Sequence, residues 1–512
     1  MFDLKKYTPA NIKNDILSGL VVAVALVPEA IAFSFIAGVS PVVGLYTAFI
    51  LGLITALIGG KPGMISGATG AVAIVLVGLT LQANALLTAQ GFVGEALAMG
   101  VLNYILLATV IAGLIQISIG MLKLGKFIRL VPTPAIHGFV NGLAIVIATA
   151  QFKFFEGQNY IMYILVAITM AIMYVLPKFT KAVPAGLVAI IVLTLGVYFT
   201  HLDTLLLSGL DDMSKYAGQL PSFAFPEYLF SLDAIMLVLP YAIIVALVGI
   251  IESLLTLSVL DELSNTRGSA NKECIAQGTG NITCGFFGGM AGCAMIGQSI
   301  INYTSGGIGR LSSFVAAVGL IVLVVSMSSV LNAIPVAVLV GIMFMVSIGT
   351  FEWSSFSRLN KMPRTDAFVM IAVTIITVVE DLAIAVIAGV VISALAFAWE
   401  HARIWAKSHV EEDGTKVYEL DGPLFFGSAT TFADNFDVLS DPPKVVIDFK
   451  NARVMDSSGV EAVDAITKKY EDAGKNLLLR HLSADCKAIL KKAGPYCAYS
   501  EDDPTYKVAI NY

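Results

Sequence analysis

Glu252 stands in the middle of a long apolar run, Val248-Gly249-Ile250-Ile251-Glu252-Ser253-Leu254-Leu255-Thr256. On a helix Gly249, Glu252 and Thr256 share one face. A carboxylate and a hydroxyl one turn apart can, with backbone carbonyls, ligate Na⁺ or hold a titratable proton. A purely structural hydrogen-bonding role is the alternative. Two glycine-rich breaks suggest a second chemistry. Gly59-Gly60-Lys61-Pro62-Gly63 interrupts the chain, Met64-Ile65-Ser66-Gly67 reads as extended, and a helix starts near Ala68-Thr69-Gly70. Gly288-Gly289-Met290-Ala291-Gly292-Cys293-Ala294 repeats that layout before a start near Met295-Ile296-Gly297. A helix start leaves N–H groups unpaired and carries partial positive charge. Two starts facing each other therefore make an anion cradle that needs no Lys or Arg. The candidate anion-binding residues are Thr69, which adds a hydroxyl donor, Gly70, Met295, Ile296 and Gly297. A re-entrant loop with packing glycines is the alternative. Glu29, after Pro28, is either a second coupling carboxylate or one that faces a water-filled cavity. Near an anion it would oppose binding unless protonated or paired.

The elements that position these residues must be membrane helices. Hydrophobic residues make up 57% of the 512 positions and charged residues 13%, against about 25% charged in an ordinary soluble domain. About fourteen apolar spans lie between residues 16 and 407, read at about 20 residues per crossing. The last is placed at 382–405. Two, 68–82 and 295–304, are too short to cross alone. Gly/Pro-interrupted short segments at matching places in two halves point to a transport site at the membrane midplane. An intramembrane carboxylate such as Glu252 is a functional candidate by default.

Charges between the spans set the orientation. Lys5, Lys6 and Lys13, then Lys123/Lys126/Arg129, Lys178/Lys181, Arg358/Lys361/Arg364 and Arg403/Lys407 all fall on one side. Asp203, Asp211, Asp212, Glu227 and Asp233, opposed by Lys215 alone, and then Glu380 and Asp381 fall on the other. The basic side is expected to be cytoplasmic, which places both termini inside a bacterial inner membrane. The expected domains are 1–407 in the membrane and 408–512 outside it. The tail holds 18 acidic and 12 basic residues, so the whole formal charge of −6 resides there. This distribution argues against a nucleic-acid partner. No cleavable leader is expected. Cys274, Cys284, Cys293, Cys486 and Cys497 read as packing residues, with no metal or disulfide. His137 reads as a cap or packing residue, with a proton relay as the alternative. The Asn-x-Thr triplets at Asn281 and Asn302 read as chance.

Pro28 through Tyr46 (PEAIAFSFIAGVSPVVGLY), Glu252-Ser253-Leu254-Leu255-Thr256, Asn271 through Asn281 (NKECIAQGTGN) and, in the tail, Asp456-Ser457-Ser458-Gly459 together carry a resemblance. The chain resembles the sulfate permease family, also called solute carrier family 26, over nearly its whole length. The resemblance implies a polytopic α-helical membrane protein of fourteen segments in two inverted seven-segment repeats, about 1–200 and 230–407. It also implies core and gate domains that slide in an elevator-like motion, with the anion between the third and tenth segments. Relatives that move bicarbonate with Na⁺ carry Asp and Thr at the positions of Glu252 and Thr256, whereas proton-coupled relatives tend to carry Glu. Three departures matter. Many relatives have Gln at Glu29, many have Arg at Gln298, and some bicarbonate transporters have a hydroxyl residue within Ala294-Met295-Ile296-Gly297.

In the tail, Lys444 through Phe449 and Leu477-Leu478-Leu479 read as strands and Gly459 through Tyr470 as a helix. This is an α/β layout over residues 415–512. It resembles the STAS domain of anti-sigma-factor antagonists, in which the residue matching Ser458 is phosphorylated. A phosphate there would lie at a helix N-terminus; a plain N-cap role for Ser458 is the alternative. The expected function is secondary active transport of sulfate or bicarbonate with H⁺ or Na⁺. The expected assembly is a homodimer, with a cytoplasmic regulator as a partner of the tail. An uncoupled exchanger or channel on the same scaffold is the alternative function. With no Walker loop, the energy source reads as an ion gradient; with no catalytic constellation, enzyme activity is not expected.

Overall fold

In a bilayer no water can pair with backbone N–H and C=O groups, so apolar spans must close their hydrogen bonds internally as helices. The computed structural model describes residues 9–125, 133–179, 185–209, 219–228, 231–326, 332–359, 361–379 and 382–493. Lys5, Lys6, Lys126, Arg129, Lys181, Asp211, Asp212, Lys215, Glu380, Asp381 and Cys497 lie outside the described residues. The first seven helices are α1 (Pro9–Ala37), α2 (Pro41–Ile58), α3 (Gly70–Ala89), α4 (Gly94–Met121), α5 (Thr133–Ala150), α6 (Tyr160–Phe179) and α7 (Ala185–Thr200). The next seven are α8 (Leu232–Ser264), α9 (Ala270–Phe286), α10 (Ile296–Thr304), α11 (Arg310–Ser326), α12 (Val336–Thr350), α13 (Arg364–Val379) and α14 (Leu382–His401). A short helix, Trp353–Arg358, follows α12. Among the described residues eight helices are long and apolar enough to cross a membrane. Residues such as Tyr163, Ile164 and Tyr174 on α6 and Tyr198 and Phe199 on α7 point outward, as a lipid-facing surface requires.

The span expected at 68–82 is longer than its hydropathy indicated. α3 has 20 residues, about 30 Å at 1.5 Å per residue. Gln82 and Asn84 lower the hydropathy of its second half, but both are exposed and leave the helical hydrogen bonds intact. α10 is short as expected, with nine residues. The last membrane helix stops at His401 rather than 405, because Trp405 already opens a strand.

Within residues 1–390 the helices sort into two packing groups. α1 packs on α2, α3, α10 and α11; α2 on α9 and α11; α4 on α3, α8 and α9; and α8 on α3, α9 and α10. The second group joins α5 to α12 and α13, α6 to α7 and α12, and α7 to α12. Advancing a helix number by seven maps several of the largest contacts onto one another. The α1–α11 contact becomes α8–α4, α4–α9 becomes α11–α2, and α1–α10 becomes α8–α3. These contacts thus repeat with a period of seven helices, the arrangement that the expected two seven-segment repeats call for. Small residues permit the closest approach: a Cβ at Gly113 of α4 would lie 2.6 Å from the Gly278 carbonyl oxygen of α9, and one at Gly278 2.5 Å from that of Gly113.

Residues 391–512 form the second compact unit. Its sheet has the order β3-β4-β5-β6, namely Trp405–Val410, Lys416–Leu424, Lys444–Val454 and Asn476–Arg480. β1 and β2 are the two-residue strands described below. β3 runs antiparallel to β4, and β4, β5 and β6 are parallel. α15 (Ser457–Asp472) and α16 (Ala484–Ala493) follow β5 and β6. Tyr470, Phe432 and Phe449 fill the interior. Asp441 is buried there, accepting from Lys416 Nζ at 2.6 Å and from the hydroxyls of Tyr418 and Tyr470. Burial and the Asp441 carboxylate both push the Tyr470 phenol up, so it stays a donor.

Candidate functional site

The two glycine-rich breaks meet. β1 (Ser66–Gly67) pairs antiparallel with β2 (Cys293–Ala294), Ser66 opposite Ala294 and Gly67 opposite Cys293. α3 starts at Gly70 and α10 at Ile296, three and two residues beyond their strands. The Met295 N–H adds a bond to the Ile65 carbonyl at 2.9 Å. Such close pairing needs glycine: a Cβ at Gly292 would lie 2.2 Å from the Gly67 carbonyl oxygen.

α9 holds this crossing through three side chains spaced four residues apart, Glu273, Gln277 and Asn281. The Gly60 N–H donates to Glu273 at 2.6 Å, and Gln277 Nε2 donates to Glu273 at 2.7 Å and to Ser66 Oγ at 2.8 Å. Asn281 accepts from the Gly292 N–H at 2.9 Å and donates to the Gly292 carbonyl at 3.0 Å and to Gln116 at 2.8 Å. Asn302 likewise donates to the Gly63 carbonyl and to Ser312 Oγ. Both asparagines, read from sequence as chance triplets, are clamps for otherwise orphaned backbone groups. The four-residue spacing of Glu273, Gln277 and Asn281 along α9 was the available signal.

Glu252 reaches the crossing from α8. Its carboxylate accepts from the Cys293 thiol at 2.8 Å, and Cys293 Sγ lies 3.1 Å from the Thr69 hydroxyl. With the S–H turned to Glu252, the Thr69 O–H points at the sulfur. Cys293, expected only to pack, joins the candidate coupling residue to the candidate anion residue. Neighbouring Ser253 accepts from the Ala294 N–H at 3.0 Å, a contact not anticipated from sequence. Thr256 bonds to its own backbone. Its hydroxyl donates to the Glu252 backbone carbonyl at 2.8 Å, not to the carboxylate, and its oxygen lies 3.5 Å from the Ala294 carbonyl oxygen. The Thr256 hydroxyl and the Ala294 carbonyl oxygen are thus neighbours one helical turn from Glu252, oxygens of the type hard cations take.

The two helix starts are unequal. Thr69 and Gly70 are buried, and a Cβ at Gly70 would lie 2.9 Å from Ile147 and 3.0 Å from Phe33. Met295 is buried and Ile296 half-buried. Gly297 is exposed, and a Cβ there would meet nothing within 4 Å. The open space therefore lies at the start of α10. Glu29 comes to the same helix: Gln298 Nε2 donates to it at 2.7 Å. His137 is half-buried in the second turn of α5 and has no place in this cluster.

In the tail Ser458 is not the N-cap. Asp456 caps α15, accepting from the Gly459 N–H at 2.9 Å, and also accepts from the Phe426 N–H at 2.9 Å. The extended backbone at Asp456 turns its side chain back over the first turn. Ser458 is the second helical residue and half-exposed.

Comparison with known proteins places the whole chain. The sulfate permease family model matches residues 12–163 and 158–373, and the STAS domain model matches 407–497. The "Putative sulfate transporter YbaR" of Bacillus subtilis is 43% identical over 96% of this chain and 99% of its own length. The bicarbonate transporter BicA of Picosynechococcus is 30% identical over 90% of this chain and 87% of its own. The structure of the murine Solute Carrier 26 family member A9 anion transporter superposes with a TM-score of 0.79 at 17% identity, over 96% of this chain and 89% of that one. At that identity the likeness speaks for the fold.

Proposed function

The chain belongs to the sulfate permease family, and from that premise we propose that it is a secondary active transporter of sulfate or bicarbonate, driven by a proton or sodium gradient. The observation that carries this reading is the junction of Glu252, Cys293 and Thr69 at the crossing of two helix starts. An anion at the open start of α10, near Gly297 and Ile296, meets N–H groups that have no intrahelical acceptor. A coupling ion at Glu252 and Thr256 neutralises the carboxylate that otherwise repels that anion. Binding of one thereby favours binding of the other, and this coupling is reciprocal. In the proposed cycle the group holding the crossing (α1–α4 and α8–α11) slides as a body against the other (α5–α7, α12 and α13).

We further propose a bacterial inner-membrane location with both termini cytoplasmic and a homodimeric assembly. The division of labour is transport by residues 1–407 and regulation by the tail, where Ser458 is the candidate input. Glu252→Gln in proteoliposomes tests the central role. The neutral side chain should retain exchange of labelled anion across the membrane while losing accumulation driven by an imposed pH or Na⁺ gradient. Unchanged accumulation would remove Glu252 from the mechanism.

A further inference from the structure

Glu29 and Gln298 are direct partners across the membrane unit. They lie on α1 and α10, 269 residues apart, and Gln298 Nε2 donates to Glu29 Oε1 at 2.7 Å. Gln298 is 4% exposed. Its other amide atom, Oε1, is buried and has no hydrogen-bond partner among the described residues. An ionised carboxylate only accepts, whereas a protonated one also donates. The arrangement seen suits an ionised Glu29, with the Gln298 NH₂ held on the carboxylate and the amide oxygen turned away. Gln298 is the third residue of α10, directly after Gly297, which borders the open space. An acceptor there adds negative potential where a donor would hold an anion.

We propose that Glu29 and Gln298 form a proton-driven amide switch that sets whether the start of α10 offers a donor or an acceptor to the anion. A proton from bulk water adds to a Glu29 carboxylate oxygen. The new O–H donates to Gln298 Oε1, the amide turns over, and its NH₂ faces the anion side. The orphaned oxygen gains a partner in the same step. Loss of the proton reverses the turn and weakens the anion's hold. The pair does, through one proton, part of what a fixed arginine would do without one.

The surroundings leave Glu29 few competitors. Of the helices packed on α1, α3 and α12 carry no ionisable side chain. α2, α7 and α10 carry only Tyr46, Tyr198 and Tyr303. α11 brings Arg310 at its first residue, where the guanidinium donates to the Ala56 and Gly59 carbonyls. α1 itself carries Lys13 and Asp15 near its start, and Asp15 accepts from the Ile308 and Gly309 N–H groups. At its other end Lys153 Nζ donates to the Phe35 carbonyl at 3.2 Å.

This inference rests on anion binding at α10, so its test has two arms. In proteoliposomes the KM for labelled sulfate is measured against pH. One proton linked to one anion raises KM by at most about tenfold per pH unit as the proton is lost. Wild type is expected to show a rising KM. E29Q and Gln298→Met should both flatten it, whereas Glu252→Gln keeps the Glu29-dependent part. A Gln298→Met variant with the wild-type slope would overturn the switch, because the proton would then act without the amide. The second arm needs no transport. Infrared pH-difference spectra of purified protein should show a carboxylic acid band that E29Q abolishes and that Gln298→Met shifts, together with a side-chain amide change that both variants lose. Failure of wild type to move or bind sulfate or bicarbonate would sink the transport reading while the spectra still decide the switch. A carboxylic acid band indifferent to residue 298 overturns it.

Discussion

Two glycines five residues apart should fail in opposite ways when a methyl group is added. In Gly292→Ala the new Cβ lies 2.2 Å from the Gly67 carbonyl oxygen and 2.9 Å from Leu51 Cδ2. The first contact is with backbone in a paired strand, so no rotamer change relieves it. Overpacking of this kind costs about 1–3 kcal/mol, and relief requires β1 and β2 to separate, which spreads the two helix starts. In Gly297→Ala the Cβ meets nothing within 4 Å, and replacing a helical glycine gains up to about 1 kcal/mol. That methyl group takes space where the anion is proposed to sit, and one misplaced methyl in a binding site is worth about 1–3 kcal/mol, roughly 10–200-fold in affinity. The assay pairs thermal unfolding of purified protein with KM for labelled sulfate and bicarbonate in proteoliposomes. Gly292→Ala should be less stable and transport poorly. Gly297→Ala should be at least as stable as wild type, with KM raised at least about tenfold. A Gly297→Ala variant with unchanged KM would refute the placement of the anion, and a Gly292→Ala variant of full stability would refute the tight crossing.

Asn281→Leu leaves the Gly292 N–H and carbonyl and Gln116 Oε1 without their partner. At about 1 kcal/mol or more per buried group, it should destabilise the membrane unit by about 3 kcal/mol, read as an earlier unfolding transition. Cys293→Ala removes the donor to Glu252 and should lower gradient-driven uptake, whereas Cys293→Ser should restore it. Asp441→Leu breaks the ion pair with Lys416 and both tyrosine hydrogen bonds. It should cost the tail about 3 kcal/mol, seen as faster hydrogen exchange in β4 and α15 with the membrane helices unaffected.

The sequence showed much of the site because its signals were local. Glycines, a short extended stretch and a helix start follow one another at both Ser66–Gly70 and Cys293–Ile296, and a lone carboxylate in an apolar run marked Glu252. What escaped was long-range or depended on backbone direction. Glu29 and Gln298 each stood out as a departure, but nothing in either neighbourhood indicates that they touch. Glu273, Gln277 and Asn281 read as polar residues on a helix until the loops they bind lie against it. Thr256 turned to its own backbone, the i−4 bond open to any helical threonine. Asp456 displaced Ser458 as a cap because its extended backbone, not its residue type, decided which oxygen reached the Gly459 N–H. The second half of α3 was missed because hydropathy registers Gln82 and Asn84 while helix geometry does not.

Coupled transport itself is tested most directly by uptake of labelled sulfate and of labelled bicarbonate into proteoliposomes of wild-type protein, with an inward proton or sodium gradient imposed or absent. The account predicts transient accumulation of one of the two anions above its external concentration, present with one of those gradients and lost when it is collapsed. Uptake of either anion to simple equilibrium, at a rate and extent indifferent to both gradients, would contradict it.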